Sequence, residues 1–302
     1  MMNNKSKVEE VAHIYAKLQK EICQTLEQAD GKAVFEENKW EKDIGSGITC
    51  VIRNGAAIEK GGVNFSYVGG DYSMQMERLL GEKANSYAAT GISSIMHPVN
   101  PYVPIIHTNI RYFALDNGTE WFGGGIDLSP HYIDVIEARN FHIHLKKICD
   151  KYNIDFYPHF KKWADDYYFI PHRNETRGVG GIFFDRLKPD AKIGFEELLA
   201  FTTDLGKAYA NLYGKIIEEK KQKKYTSAQK EWQELRRGRY VEFNLVYDRG
   251  TKFGFESNGN TESILISLPA TASWEYNHEV KQGSDEYETL HLLKKNIDWI
   301  NR

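Results

Sequence analysis

HPVNPYVPIIHTNIRYF, residues 97 to 113, is the stretch whose reading decides the fold. Pro101 and Pro104 fix the backbone and push the residues before them toward extended conformations, so a stiff, non-helical segment leads into the next element. From Ile106 to Leu115 the side chains alternate with period two, which predicts a strand. One face carries His107, Asn109, Arg111 and Phe113; the other carries Ile106, Thr108, Ile110, Tyr112 and Ala114. The second face can pack into a core. The first suits the wall of an anionic-ligand pocket, because an imidazole, an amide and a guanidinium in a row are costly to bury unpaired. On periodicity alone, an edge strand with one solvated face fits equally well.

Downstream, Asp116-Asn117-Gly118-Thr119 turns the chain and Trp121 to Leu128 returns antiparallel, making a hairpin. Gly123, Gly124 and Gly125 fall inside that return strand, where they supply no side chains and mark a bulge or a place of close approach. Neither GxxxxGK[ST] nor GxGxxG spacing occurs there, so a nucleotide loop is disfavoured. Upstream, Gly91 to His97 reads as a short strand, residues 74 to 90 as helical or irregular, and Lys42 to Gly70 as short β runs around an Asn54-Gly55 hairpin signal. Residues 8 to 28 space Val8, Val11, Leu18, Ile22 and Leu26 as an amphipathic helix.

Beyond the hairpin, Ser129-Pro130 reads as an N-cap and N1 pair opening a helix to about Tyr152. Residues 131, 135, 138, 142, 145 and 149 then share one face. His142 points inward on it, more like a hydrogen-bonded core residue than a ligand. Lys161 to Phe169 is expected to be helical until Pro171 stops it. The run from His172 to Arg177, followed by Gly178, Gly180 and Gly181, is either a ligand-contacting loop or a solvated one. Residues 194 to 223 form a long helix ending in EEKKQKK, and residues 226 to 237 a shorter one. Tyr240 to Asp248 alternates like the strand at His107 and is read as a second strand. It ends in turns at Asp248-Arg249-Gly250 and Asn258-Gly259-Asn260, and a helix near 286 to 300 closes the chain. With no internal repeat and no linker, the 302 residues form one domain: α+β, an antiparallel sheet with helices on both faces.

Composition narrows the function classes. Hydrophobic residues make up 41% and charged residues 27%, a globular balance. A net charge of −3 leaves no footprint for nucleic acid. Cys23, Cys50 and Cys149 are odd in number and far apart in sequence, which argues against a disulfide framework and for a reducing compartment. No presequence pattern and no membrane-length apolar run is found, so a cytoplasmic protein is expected.

The blocks MHPVNPYVPIIHTNIRYF, WFGGGIDLSPHY, FKKWADDYYFIPHRNETRGVGGIFFD, RRGRYVEFNLVYDRG and TESILISLPATASWEY, with EKGGVNFSYVGG before them, occur in the order found in oxygen-dependent coproporphyrinogen III oxidases. The resemblance runs from about Gly45 to the C-terminus. It implies oxidative decarboxylation of two propionates of coproporphyrinogen III to vinyl groups in haem biosynthesis, with O2 as co-substrate and no organic cofactor. It also implies a macrocycle cleft on a flat sheet, and a homodimer through the region near Tyr240 to Glu275. Carried over by motif, His107 matches the proposed proton donor, and Asp248 matches the acid that binds pyrrole N–H groups, with Arg249 beside it. Ser93, Asn109, Ile110, Arg111, Asn258, Gly259 and Asn260 match substrate contacts, although the family often has Arg where Asn260 stands. His97, His107, His142 and His172 match positions assigned to a divalent metal such as Mn in bacterial members. Their separations of 10, 35 and 30 are no metal-site spacing, so hydrogen bonding and acid–base roles are the competing reading. Two further classes stay open: a tetrapyrrole carrier, which needs the pocket but not Asp248 or His107, and a metal-dependent hydrolase, which needs the histidines but not the anion-binding strand.

Overall fold

The structure, a computed structural model, describes residues 4–256 and 259–302. In chain order the elements are α1 (Asn4–Asp30), β1 (Glu36–Lys42), β2 (Gly45–Arg53), β3 (Ile58–Asp71), α2 (Met74–Leu80), β4 (Ser86–Pro98), β5 (Ile105–Leu115), β6 (Glu120–Ser129), α3 (Val135–Tyr152) and α4 (Phe156–Tyr167). A two-residue ladder of β7 (Phe169–Ile170) and β8 (Glu175–Thr176) follows, around a 3-10 turn at Pro171–Arg173. Then come β9 (Gly180–Leu187), α5 (Phe195–Lys220), α6 (Ser227–Val246), α7 (Arg249–Glu256), α8 (Thr261–Leu265) and α9 (Asp285–Leu292).

Among the described residues, seven strands form an antiparallel sheet in the order β1-β2-β3-β4-β5-β6-β9. The hairpin at residues 116 to 118 sets its central register. Leu115 N–H donates to the Thr119 carbonyl, and the pairing runs back from there until His107 lies opposite Asp127. A slip of one residue would send Ile106, Ile110 and Tyr112 to the polar face, so burial of the apolar face locks the pairing.

That apolar face packs against α1, α3 and α5. Ile106, Ile110 and Tyr112 are fully buried against a core that includes Tyr15, Leu18, Leu205 and Tyr209. Each such side chain contributes roughly 1.5–3 kcal/mol. Polar atoms trapped in this layer are paired: Thr108 Oγ1 donates to the Gly125 carbonyl, and the Gln19 amide reaches the Ile48 and Val63 carbonyls. At the end of α1 the Asp30 carboxylate accepts from the backbone N–H groups of Ala33, Ala56, Ala57 and Ile58. A Cβ at Gly55 would collide with that carboxylate, so the Asn54-Gly55 turn is matched to the helix that docks on it.

The other face is covered in patches. Tyr240 of α6 packs on Ile95 and Ile105, and Ser263 of α8 bonds Thr49 and Asn64. Helices therefore lie on both faces of the sheet, as expected.

Four sequence expectations need correction. Tyr240 to Asp248 is not a strand: residues through Val246 continue α6. Asp248-Arg249-Gly250 does not turn into an extended segment but starts α7. The helix expected at Ser129-Pro130 begins at Val135, because Ser129 still pairs with Ile105 and it is Asp134 whose carboxylate accepts from Ile136 and Glu137 N–H. The closing helix stops at Leu292, and the tail continues in turns that bury Leu293 and Trp299.

His142 is inward, as its helical stripe predicts, and both ring nitrogens are occupied, by the Tyr157 hydroxyl and the Val179 carbonyl at 3.0 Å each. Burial pushes its pKa down to about 4, against a weaker upward pull from the Val179 carbonyl. This fixes the sign of the pH effect. The unfolded chain takes up a proton near pH 6.5 and the native chain does not, so stability is lost as pH falls from about 6.5 toward 4, by up to about 3 kcal/mol. His142→Ala should therefore cost ~1–3 kcal/mol at pH 7, through a cavity and two stranded partners. The deficit should be about 2 kcal/mol smaller at pH 5 than at pH 7, which urea denaturation at the two pH values would measure; an equal deficit at both would contradict the assignment.

Candidate functional site

The polar face of the sheet is a floor of polar side chains and glycines. Register aligns Thr49, Asn64, Ser93, Asn109 and Gly125 in one row across β2 to β6. The next row places Gly91 and Gly123 on either side of Arg111, and the row on the other side sets Ile95, His107 and Asp127 abreast. Glycines at these positions carry no side chain, which lets neighbours come close: Arg111 and Asp185 over Gly123, and Phe183 and Tyr168 against Gly125. They are also sterically required, since a Cβ on Gly91 would come within 2.8 Å of the Ile110 carbonyl, and one on Gly125 within 2.7 Å of the Ile182 carbonyl.

His107 stands on this floor as a half-buried side chain. Its Nδ1 lies 3.0 Å from Asp127 Oδ1, across the β5–β6 pair. Arg177 reaches the same carboxylate from beneath the β8–β9 connection, with Nη2 2.6 Å from Oδ1 and Nε 3.1 Å from Oδ2. Its Nη1 donates to Asn244 Oδ1 at 2.8 Å, and its guanidinium carbon lies 4.5 Å from each of the ring centres of Tyr168, Tyr240 and Phe243. Burial alone would push the Asp127 carboxyl up. Arg177, and then His107, outweigh that and hold it below the ordinary carboxylate value. An ionised Asp127 takes a proton donor on Nδ1, which fixes the imidazole tautomer and leaves Nε2 toward the cleft for proton transfer.

Asp248 sits at the far edge of the floor, in the break between α6 and α7. Its Oδ2 accepts from Thr251 N–H and Oγ1 at 2.7 and 2.8 Å, which makes it the N-cap of α7. Its Oδ1 accepts from the Tyr167 hydroxyl at 2.8 Å. Tyr167 stacks on Phe183 with ring centres 4.1 Å apart, beside Gly125, and Arg249 lies over the other side of the Tyr167 ring at 5.8 Å. Next to Arg111 on β5, Phe113 stacks on both Trp121 and Tyr87 in a buried cluster under α2.

The structure sorts the remaining candidates. Ser93, Asn109 and Arg111 share the floor. Ile110 does not: its side chain is fully buried on the helix side, leaving only its backbone near the cleft. Asn260 is the N-cap of α8, with Oδ1 3.2 Å from Ser263 N–H, and its segment closes over β2 and β3. The Gly259 carbonyl accepts from Lys42. Asn258 lies outside the described residues.

The four histidines tested as metal ligands do not form a ligand set. His107 is held by Asp127, and His142 lies in the helix layer on the other side of the sheet. His172 is engaged by the Tyr247 hydroxyl and Glu242, both at 2.7 Å. His97 is fully buried with Nε2 on the Ser267 carbonyl, and burial lowers its pKa to about 3. No group of three or more metal-ligating side chains suited to an ion occurs among the described residues. The residues present do not fit a metal held by these histidines.

Sequence reading missed Asp127, Tyr167, Asn244 and Asp185 as site residues, and reached Arg177 only as the end of the His172 to Arg177 loop. Asp127 could have been found: a turn centred on Asn117 makes it the partner of His107. The others come from segments whose approach to the floor no local pattern encodes.

A floor of this kind suits a wide, flat polycarboxylate, with an acid–base pair below it and a second acid at its edge. The chain belongs to the coproporphyrinogen III oxidase family, whose pattern it matches over residues 10–299. It is 46% identical over 298 residues to the mitochondrial oxygen-dependent coproporphyrinogen-III oxidase of Rattus norvegicus, covering 94% of this chain and 67% of that protein. Its identity to the Homo sapiens mitochondrial protein of the same name is 44%, covering 93% and 65%, and to the chloroplastic protein of Glycine max 45%, covering 92% and 76%. The chain thus spans about two thirds of the length of the two mammalian relatives. No helix among its described residues is long and apolar enough to cross a membrane.

Proposed function

We propose that the chain is an enzyme that converts coproporphyrinogen III to protoporphyrinogen IX. Two propionates, one O2 and two protons give two vinyl groups, two CO2 and two water molecules. The observation that carries this reading is the floor itself: a sheet face with Arg111 and Asn109 beside His107 on Asp127–Arg177. Arg111 and Asn109 suit carboxylate binding, His107 Nε2 suits proton transfer, and the Asp248 carboxylate suits a pyrrole N–H. O2 is the oxidant, and no step requires an organic cofactor. The test is aerobic against anaerobic incubation with coproporphyrinogen III, following vinyl products by chromatography. Vinyl formation independent of O2, or binding without turnover, would leave a carrier or a different enzyme.

Arg111→Ala should raise KM with kcat nearly unchanged, because a propionate that is not being cleaved is held equally in ground and transition states. A fall in kcat at constant KM would instead put Arg111 on the reacting carboxylate.

The exposed apolar side chains Leu245, Val246, Trp274 and Tyr276 support a homodimer contact along the end of α6 and the segment after residue 272. Light scattering of Tyr276→Lys would test it, with a shift to monomer expected. Three free, buried cysteines support a reducing compartment, here the cytoplasm, whereas the relatives' names place those proteins in mitochondria and chloroplasts.

A further inference from the structure

Arg111 is held by two side chains of the protein itself. Its Nη1 donates to Asn109 Oδ1 at 3.0 Å and its Nη2 to Asp185 Oδ1 at 2.8 Å. Asp185 is on β9, two strands away from β5, so the pair must bridge the intervening strand, about 10 Å between backbones. It crosses directly over Gly123. A Cβ there would lie 2.7 Å from Asp185 Oδ1, 2.8 Å from Arg111 Nε and 2.9 Å from Nη2. Of the Nε–Nη2 edge, one of those on which a guanidinium can grip a carboxylate with two donors, Nη2 is therefore the donor that Asp185 holds.

The backbone is shaped around this contact. The β6–β9 register shifts between Phe122 and Gly124, leaving Asp185 and Arg186 opposite Gly123 alone. Arg186 sits in the left-handed region at φ 51°, a conformation a side-chain-bearing residue rarely adopts, and its N–H donates to Asp185 Oδ1 at 3.0 Å. Bulges of this kind re-aim a side chain beside a functional site. Both partners are about one-third exposed, so a ligand entering the cleft can reach them.

We propose that Asp185 sets the affinity of this position: it is an internal carboxylate that holds Arg111 through Nη2 and competes with a propionate for it. The inference rests on the reading of Arg111 as a propionate anchor. The competition discounts the affinity of every carboxylate at this position.

The experiment is fluorescence titration with coproporphyrin III, the oxidised and unreactive tetracarboxylate, using Asp185→Asn, Asp185→Glu and wild type. Asp185→Asn keeps an acceptor for Arg186 N–H while removing the competing charge. It should bind the probe roughly two- to fivefold more tightly at low salt, the scale of a screened, part-exposed ion pair, and the gain should shrink in high salt. Asp185→Glu should stay close to wild type. With Arg111→Ala already present, Asp185→Asn should change nothing. Unchanged or weaker binding in Asp185→Asn, or the same tightening without Arg111, overturns the proposal. Wild-type protein that binds and turns over normally while Asp185→Asn shows no gain defeats this inference alone; wild type that binds no probe defeats the functional reading with it.

Discussion

Arg177→Met should cost about 3–5 kcal/mol of stability at pH 7, because it takes the guanidinium from the Asp127 carboxylate where water cannot reach it and leaves His107 Nδ1 as its one close partner. Asp127 is 2% exposed, and two of the three Arg177 side-chain hydrogen bonds go to it. The methionine would fill much of the aromatic sleeve of Tyr168, Tyr240 and Phe243, so the loss would come from the uncompensated charge more than from a cavity. The pH dependence gives the second check. In the native protein Asp127 is held low, so its contribution is present above the unfolded value of about 3.8 and is lost as pH falls through the lower folded value. Without Arg177, burial dominates and raises the folded pKa. The sign reverses, so the variant loses stability as pH rises and its deficit is smallest near pH 4. Adding Asp127→Asn to Arg177→Met should recover most of the loss, measured by urea denaturation. A single variant that loses less than about 1 kcal/mol would show that Asp127 is not a buried charge dependent on Arg177.

The same buried polar residues explain what could be read from the sequence and what could not. β5 was legible because its buried face is apolar: Ile106, Ile110 and Tyr112 carry a clean period of two. α6 was not. Its buried face includes Gln233, Arg236, Arg237, Tyr240 and Asn244, spaced three or four apart as a helix requires, yet mostly of residue types that normally face solvent. The amide and guanidinium side chains among them are buried because each has a partner. Arg237 meets Glu59, Glu234 and the Pro98 carbonyl, Arg236 meets Glu175, and Asn244 meets Arg177. Scoring them as exposed leaves only Val241, Phe243, Leu245 and Tyr247, which alternate like a strand. Gly238 strengthens the error by suggesting a break. In the structure it lets the Ser273 carbonyl approach where a Cβ would collide. The helical signal lay upstream, where Thr226 and Gln229 form a reciprocal capping box.

Asp248→Asn should leave the fold nearly intact and lower turnover by ~10²–10⁴-fold, the range general acid–base help supplies. The two halves of that expectation come from different atoms. Structurally, Asp248 caps α7 through Thr251 and receives the Tyr167 hydroxyl. Asn is as good an N-cap as Asp, its carbonyl can keep the Thr251 N–H, and the Tyr167 hydroxyl can turn to accept from the amide, so stability should change by less than ~0.5 kcal/mol. Chemically, the amide has no negative charge to draw a proton from a pyrrole nitrogen. Asp248→Ala separates the two: it also removes the cap, so it should lose ~1 kcal/mol of stability in addition to the same rate. Tyr167→Phe gives a third arm. It keeps the stacking on Phe183 and the carboxylate, and it removes the hydroxyl that orients Oδ1, so it should slow turnover less than Asp248→Asn does. Steady-state rates with coproporphyrinogen III, paired with melting temperatures, decide it. An Asp248→Asn protein with unchanged melting temperature and more than half the wild-type rate would reduce Asp248 to a helix cap and leave His107, on Asp127, as the proton-transfer group of the cleft.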